Sequence, residues 1–159
     1  MPEKRKFYLT REGLTKIKEE YEKILETRKL KSKKGVPPVL HSEDLNTEFV
    51  AFREDLDLLE SKIEELKYIL KNFELIKPPP KKERDKVHLG AQVQVAIDGE
   101  IDEFKIVGTL ETNPSNNKIS NESPIGQALL GKRVGETVVI KVPIVNHSCK
   151  IIKIKYNKL

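Results

Sequence analysis

A seven-residue apolar repeat between positions 52 and 73 constrains this chain more than any other feature. Apolar side chains recur there at alternating steps of four and three, at Phe52, Leu56, Leu59, Ile63, Leu66, Leu70 and Phe73. This spacing is typical of a coiled-coil seam, because it keeps one apolar stripe on the side of the helix that meets a partner helix. It predicts a long helix, on the order of 45 Å at ~1.5 Å per residue.

A shorter repeat with the same steps precedes it, at Leu14, Ile17, Tyr21 and Ile24. Thr10 is a candidate N-cap for this first helix, because its hydroxyl can accept a hydrogen bond from an amide one turn later. Gly35, Pro37 and Pro38 end the helix. Two such helices joined by a short connection fold back antiparallel, seam against seam. The sequence therefore predicts a helical hairpin over residues 1–76, with a tip at about residues 35–48.

The pattern changes period after a proline-rich, charged stretch at residues 77–86, which we interpret as a linker. AQVQVAI alternates apolar and polar residues as a half-buried strand does, and Asp98-Gly99 is a strong signal for a two-residue hairpin turn. SPIGQALLG indicates a short capped helix, and TVVIKV and CKIIKIKY indicate two further strands. Residues 87–159 are thus predicted to form a small α+β domain on an antiparallel sheet.

Composition narrows the class of protein. Of 159 residues, 35% are charged and 37% apolar, which suits a hairpin exposed to a partner better than one deep core. No apolar run approaches the ~18 residues of a membrane span, and we expect no membrane partner. The N-terminus lacks the apolar stretch of a secretory signal, and Cys149 is a single cysteine; both favour the cytoplasm. The net charge of +5 permits a nucleic-acid partner without showing one.

Two charged groups flank the predicted tip. Five cations lie just before it, at Arg28, Lys29, Lys31, Lys33 and Lys34. They are either a solvated helix end that complements the helix dipole or a group that contacts an RNA backbone or a negatively charged passage.

Two acids, Glu43 and Asp44, lie within the tip. They are either first-turn acids of the second helix or ligands for a cation. His41 lies beside them, and a solvated loop histidine is the simpler interpretation.

Other function classes find little support. His41, His88 and His147 show no zinc-ligand spacing with Cys149, and the sequence has neither a Walker-type phosphate loop nor a recognisable Ser/His/Asp arrangement. A prolyl isomerase needs a pocket lined with aromatic side chains. Residues 87–159 offer only Phe104 and Tyr156 for such a pocket, which argues against this activity.

A coiled-coil adaptor that carries a small domain is a further alternative, because the seam and the linker alone are compatible with it.

Three motifs, in order, resemble the bacterial GreA/GreB transcript cleavage factors over essentially the full length. Ser123-Pro124-Ile125-Gly126, continuing through ALLG into GETVVIKV, is similar to the family's C-terminal signature. Leu9-Thr10-x-Glu-Gly-Leu resembles the start of the family's first helix. Asn46-x-Glu48-Phe49 resembles the entry to its second helix, and Arg53 with Glu54 resembles the stretch that follows.

The resemblance implies a fold and a division of labour. The C-terminal domain would be FKBP-like and dock at the rim of RNA polymerase's secondary channel, with residues Glu122, Ser123, Pro124 and Ile125 as the candidate contact. The coiled coil would enter the channel and bring acids to the polymerase active centre. There they would help to hold a second Mg²⁺ near the 3′ end of the nascent RNA, so that the polymerase itself cuts backtracked RNA. The factor would be an activator and not an enzyme.

The tip departs from the family pattern, which usually reads Gly-Asp-Leu-x-Glu-Asn. Here the run is His-Ser-Glu-Asp-Leu-Asn, so neither a gapped nor an ungapped alignment keeps both acids. Carried over by residue, Asp44 would be the main Mg²⁺ ligand and Glu43 its helper. The alternative is a relative that occupies the channel and regulates or inhibits transcription without stimulating cleavage. We expect the seam to pair within one chain, as a monomer, although pairing between chains stays open.

Overall fold

The computed structural model describes residues 5–35, 47–141 and 146–157. These residues form two compact units. One comprises the described residues up to Gly13 together with those from Phe73 onward, and the other comprises those between Leu14 and Asn72. The units differ at their ends from the predicted domains, since the start of the chain and residues 73–76 group with the sheet. No helix among the described residues is long and apolar enough to cross a membrane.

Two long helices form the second unit. Helix α1 is Arg11–Lys33 and helix α2 is Thr47–Lys71. Ion pairs join them at Glu20 with Lys62, Arg28 with Glu60, and Lys31 with Asp55. Partners on α2 move towards its start as those on α1 move towards its end, so the helices are antiparallel, as the sequence predicts.

The predicted seam is the buried side of α2, with two differences. Ile63 and Leu66 are buried, and Phe52, Leu56, Leu59 and Leu70 are half-buried. Ile69, which the repeat omits, is also buried. Phe73 was wrongly predicted to end the seam, because α2 stops at Lys71 and Phe73 opens a strand.

A small parallel ribbon was missed in the sequence. Strand β1 (Phe7–Leu9) pairs with strand β2 (Phe73–Leu75), with Phe7 opposite Phe73 and Leu9 opposite Leu75. The Ile76 amide donates to the Leu9 carbonyl at 2.8 Å and extends the pairing. Three-residue strands are too short to show a period, so only the fold brings them together.

The larger sheet has five strands, β3 (Gln92–Ile97), β4 (Glu100–Val107), β5 (Lys118–Ser120), β6 (Thr137–Lys141) and β7 (Asn146–Lys155), in the order β5-β4-β3-β7-β6. Strands β4 and β5 are parallel, and the other pairs are antiparallel. The predicted α+β class is confirmed, although the sheet is mixed and not purely antiparallel. A parallel edge strand arises because the chain leaves β4 through two one-turn 3₁₀ helices before it pairs again.

The predicted hairpin turn at Asp98-Gly99 is confirmed. It joins β3 and β4, with φ of 50° at Asp98 and 84° at Gly99. Positive φ at both central residues marks the type of turn whose twist matches that of the strands.

One face of the sheet carries the core. Its buried residues are Val87, Ala91, Val93, Val95, Ile106, Leu129, Val138, Ile140, Cys149 and Ile151. Leu129 comes from helix α3 (Pro124–Leu129), which packs on this face. Strand β7 carries a bulge opposite β3: Ile151 pairs with Val95 and Lys153 with Gln94, so Ile152 is an extra residue.

Candidate functional site

The predicted metal ligands Glu43 and Asp44, with His41 beside them, lie outside the described residues. The structure describes the chain on both sides of them. Helix α1 ends at Lys33, and Gly35 has a φ of 75°, a left-handed conformation that glycine adopts without a steric penalty. Glu48 lies in the first turn of α2, as predicted, where a carboxylate favours the positive end of the helix dipole.

The cations before the tip separate into two groups. Arg28 pairs with Glu60 at 3.2 Å and Lys31 pairs with Asp55 at 2.8 Å, so these two hold α1 against α2. Lys29, Lys33 and Lys34 are exposed. Within the described ranges these three have no carboxylate partner, and they are the cations that remain available to a phosphate backbone.

Ser123 organises the predicted docking loop. Its Oγ accepts a hydrogen bond from the Gly126 amide at 3.0 Å, which makes it the N-cap of α3, and donates to the Ser120 carbonyl at 2.7 Å. Pro124 occupies the first helical position, where its missing N–H costs nothing. The capped helix that the sequence predicts is therefore confirmed.

Gly126 allows the loop to close. A Cβ at this position would lie 2.1 Å from the Ser120 carbonyl oxygen, a distance that no side chain tolerates. The close approach of α3 to the end of β5 therefore depends on glycine. Ile125 packs against the core, whereas Glu122 and Pro124 are exposed, so these two form the accessible part of the predicted contact.

A chain of hydroxyls fixes the position of Glu122. The Thr109 hydroxyl donates to Glu122 Oε2 at 3.0 Å, and the Ser120 hydroxyl lies 3.0 Å from Thr109 Oγ1. Because Thr109 has one proton, Ser120 is the donor in their contact. Ser120 Oγ in turn accepts from the Glu122 amide at 3.0 Å. Arg5 adds an exposed ion pair at 3.7 Å from the same carboxylate oxygen.

Thr10 and Glu111 form a second polar cluster within the sheet unit, at the start of α1. Thr10 is buried, and its hydroxyl accepts from the Gly13 amide at 3.1 Å, which confirms the predicted N-cap. Glu111 accepts from the Thr10 amide at 2.7 Å and from the Thr10 hydroxyl. A Cβ on Gly13 would lie 2.4 Å from the Glu111 carboxylate. This partner was missed because it is 101 residues away in the chain.

The two aromatic residues considered for an isomerase pocket have structural roles. Phe104 packs against the core. The Tyr156 hydroxyl accepts from the His88 amide at 2.9 Å and donates to the Lys86 carbonyl. Burial raises the pKa of Tyr156, and the hydrogen bond from His88 lowers it by a smaller amount. Tyr156 therefore joins the end of the chain to the start of the sheet domain.

No group of three or more His, Cys, Asp or Glu side chains that could hold a metal lies within the described ranges. His147 Nδ1 contacts Asp98 Oδ2 at 2.8 Å across the β3–β4 turn, and Cys149 is buried in the core.

Both parts of the chain match models of transcription elongation factors. Residues 7–75 match the model described as "Transcription elongation factor, N-terminal". Residues 81–156 match "Transcription elongation factor, GreA/GreB, C-term". These matches define the protein as a transcription elongation factor.

Relatives extend the match to nearly the whole chain. Transcription elongation factor GreA of Thermomicrobium roseum is 38% identical over 149 residues, covering 92% of this chain and 96% of the relative. The GreA of Clostridium acetobutylicum is 36% identical over 160 residues, covering 98% and 100%. The crystal structure of GreA factor homolog 1 of Thermus thermophilus is 24% identical, with a TM-score of 0.41 and coverage of 95% and 99%. This chain belongs to the GreA/GreB family of transcription elongation factors.

Proposed function

We propose that this protein binds RNA polymerase in the cytoplasm as a monomer and stimulates the polymerase's own cleavage of backtracked RNA. In this proposal the sheet unit docks at the rim of the secondary channel, and the helical hairpin enters the channel. Membership in the GreA/GreB family supports the partner and the process.

The antiparallel helices carry the proposal. Helix α1 ends at Lys33 and helix α2 begins at Thr47, and both predicted acids lie in the connection between them. A pair of antiparallel helices, each more than 20 residues long, can deliver such a connection into a narrow passage. The exposed Lys29, Lys33 and Lys34 at the end of α1 would then meet the RNA backbone or the channel wall.

The donor chemistry of the tip suits a shared Mg²⁺. Asp44 would supply the main carboxylate oxygen and Glu43 a second, and hard cations of this kind prefer such oxygen ligands. A second cation at the polymerase active centre would stabilise the charge that develops on the attacking and leaving oxygens of the phosphodiester. The factor's contribution is to hold carboxylates where the polymerase lacks them.

The docking loop is held by hydrogen bonds within this chain. Ser123 and Gly126 determine how α3 meets β5, and Thr109 determines the orientation of Glu122. A preorganised loop loses little conformational freedom on binding, which favours affinity. Glu122 and Pro124 are therefore the residues we assign to direct contact with the polymerase.

The test uses artificially backtracked elongation complexes of the cognate polymerase with Mg²⁺ and follows cleavage of the RNA 3′ end. The unmodified protein is expected to accelerate cleavage, and Glu43→Ala with Asp44→Ala to return the rate to that without factor while binding is retained. Glu22→Ala with Glu26→Ala is the matched control. It removes two exposed acids from α1 and should leave cleavage unchanged.

Three results would change the assignment. Binding without cleavage by the unmodified protein would establish a regulator that occupies the channel, in line with its altered tip. Full activity of the Glu43/Asp44 double variant would show that other groups supply the metal ligands. Loss of polymerase binding in Glu122→Lys, with cleavage lost in parallel, would support the docking surface, and unchanged binding would exclude it.

A further inference from the structure

The face of the five-stranded sheet opposite the core is rich in lysine. Residues directly paired across strands project to the same face, so the pairing defines it. Lys118, Lys105, Gln92 and Lys155 form one row across four strands, and Glu103, Gln94 and Lys153 form the next. The row after that holds Lys150 with Ala96, Thr137 and the exposed Ile101, and the exposed Val139 lies on the same side of β6. We call the charged and amide-bearing part of this surface the basic face: Gln92, Gln94, Glu103, Lys105, Lys118, Lys150, Lys153 and Lys155.

The charge of the basic face is not neutralised locally. Its five lysines are accompanied by one acid, Glu103, and none of them has a carboxylate within ion-pair distance in the described part of the chain. Lys150, Lys153 and Lys155 on β7 are exposed, and Lys105 and Lys118 are half-exposed. If these lysines served only to stabilise the sheet, we would expect acidic residues opposite them on the neighbouring strands. Their unpaired charge is therefore available to a negatively charged partner.

The spacing of the lysines suits a phosphate backbone. Neighbouring strands are about 4.8 Å apart, so Lys118 and Lys155, three strands apart, are separated by about 14 Å. Over that length one strand of duplex DNA presents about four phosphates, at roughly 3.4 Å of helix axis for each. Gln92 accepts a hydrogen bond from Asn157 Nδ2 at 3.0 Å on its Oε1, so its amide NH₂ remains a donor among the lysines.

The side chains on this face also distinguish between nucleic acids. Proteins that bind single strands without sequence preference stack bases on aromatic rings, and the basic face has no aromatic residue. Lysine and glutamine contacts to phosphates carry no sequence information. We propose that the basic face binds the backbone of duplex DNA without sequence preference, a site separate from the tip and from the docking loop. This proposal does not depend on RNA cleavage.

The test measures binding of the full-length protein to a fluorescein-labelled 20-bp duplex of arbitrary sequence by fluorescence anisotropy, between 50 and 200 mM salt. Lys150→Gln with Lys153→Gln and Lys155→Gln removes three exposed charges from the basic face. We expect affinity at 100 mM salt to fall at least tenfold, and the salt dependence of log K to lose about 0.9 for each contact removed.

The matched control is Lys18→Gln with Lys23→Gln and Lys71→Gln. It removes three exposed lysines from the helical hairpin and lowers the net charge of +5 by the same three units. We expect less than a twofold change. Circular dichroism of both triple variants should match that of the unmodified protein, because all six side chains are exposed.

Several outcomes would overturn the proposal. Equal losses in the two triple variants would show that binding follows net charge and not this surface. No binding by the unmodified protein at 50 mM salt would exclude a DNA site. Tighter binding of a labelled polyglutamate peptide, or of a single-stranded oligonucleotide, than of the duplex would assign the face to another kind of partner.

Discussion

The helical hairpin and the sheet unit bury very different amounts of apolar surface. Within the described hairpin, Ile63, Leu66 and Ile69 are the buried apolar residues, and all three lie in the second half of α2. Among its described residues, the sheet unit has a core cluster of ten buried side chains. Towards the tip the helices are held by half-buried apolar residues and by the ion pairs of Arg28 and Lys31.

This difference indicates which parts of the protein tolerate amino-acid substitutions. Exposed ion pairs contribute about 0–1 kcal/mol each, and much of the stability of a helix comes from its buried face. The described part of the hairpin nearest the tip, around Arg28 and Lys31, is therefore expected to have a lower local stability than the sheet core, and substitutions there should cost little. The docking loop, by contrast, is held by Ser123, Gly126 and the core beneath them. If the proposed docking surface is correct, substitutions near the tip should be tolerated more easily than substitutions in the docking loop.

The largest expected effect tests the contrast directly. Leu129→Ala leaves a cavity in the sheet core and should lower the free energy of unfolding by about 3 kcal/mol. Leu56→Ala, at a half-buried position of the hairpin, should cost less, about 1 kcal/mol, because its neighbourhood is already partly hydrated. Urea denaturation followed by circular dichroism measures both. Equal losses of unfolding free energy in the two variants would show that the hairpin and the sheet unit do not differ in how much their apolar residues stabilise them.

Cys149 provides a separate measurement for the sheet unit. It is buried in the core, and burial raises the pKa of its thiol, so the folded protein holds the unreactive protonated form. Protonation stabilises the fold at neutral pH, and that contribution is lost as the pH rises through the raised pKa. At pH 8, Leu129→Ala should accelerate labelling of the Cys149 thiol about a hundredfold. The reason is that a loss of about 3 kcal/mol raises the population of the unfolded, reactive form by about that factor. Leu56→Ala should leave the labelling rate unchanged, and acceleration there would mean that the two units open together.

The second largest effect concerns the docking loop. Gly126→Ala places a methyl group against the Ser120 carbonyl and should cost about 2 kcal/mol, as overpacking does, with weakened polymerase binding. Gln127→Ala, an exposed neighbour in α3, is the control and should change neither property. A stable Gly126→Ala variant that binds normally would show that the loop is less constrained than its geometry indicates.

A smaller effect is expected at the cap of α3. Ser123→Ala removes the side chain that accepts from the Gly126 amide and should cost about 1 kcal/mol. Ser123→Thr keeps a hydroxyl and should retain most of this stability. Urea titrations of the two variants decide the point, and equal stabilities would argue against a capping role.

The smallest effect should come from the hairpin's surface. A double-mutant cycle of Lys31→Ala and Asp55→Ala is expected to give a coupling energy below about 1 kcal/mol, and less at high salt. A coupling of several kcal/mol that survives salt would show that ion pairs, and not the seam, hold the helices near the tip.

Local patterns predicted a large part of the fold. The heptad spacing identified the buried side of α2, and the Asp98-Gly99 pair identified the turn between β3 and β4. Ser123 and Pro124 identified the start of α3. Each of these rests on residues within a few positions of one another. The physical preferences involved, for periodic burial, positive φ and end capping, are local and therefore visible in the sequence.

The contacts most distant in sequence were not predicted. The ribbon of β1 and β2 joins residues 66 positions apart, and the Glu111 contact to Thr10 spans 101. A glutamate in a loop carries no signal of the helix start it will meet, since only the fold brings them together. The roles of Glu43 and Asp44 stay a prediction, because they depend on the polymerase as well as on this chain.

The bulge at Ile152 has a consequence for insertions and deletions in this chain. Because of this extra residue, Lys150 and Lys153 lie on the same face of β7 although their separation is an odd number of residues. Deleting Ile152 would restore strict alternation and would reverse the orientation of one half of the strand relative to the other. Lys153 and Lys155 would then point into the core, or Ile151 and Cys149 would leave it. A length change of one residue is harmless in a surface loop. Here it would exchange the buried and the exposed side chains of half a strand.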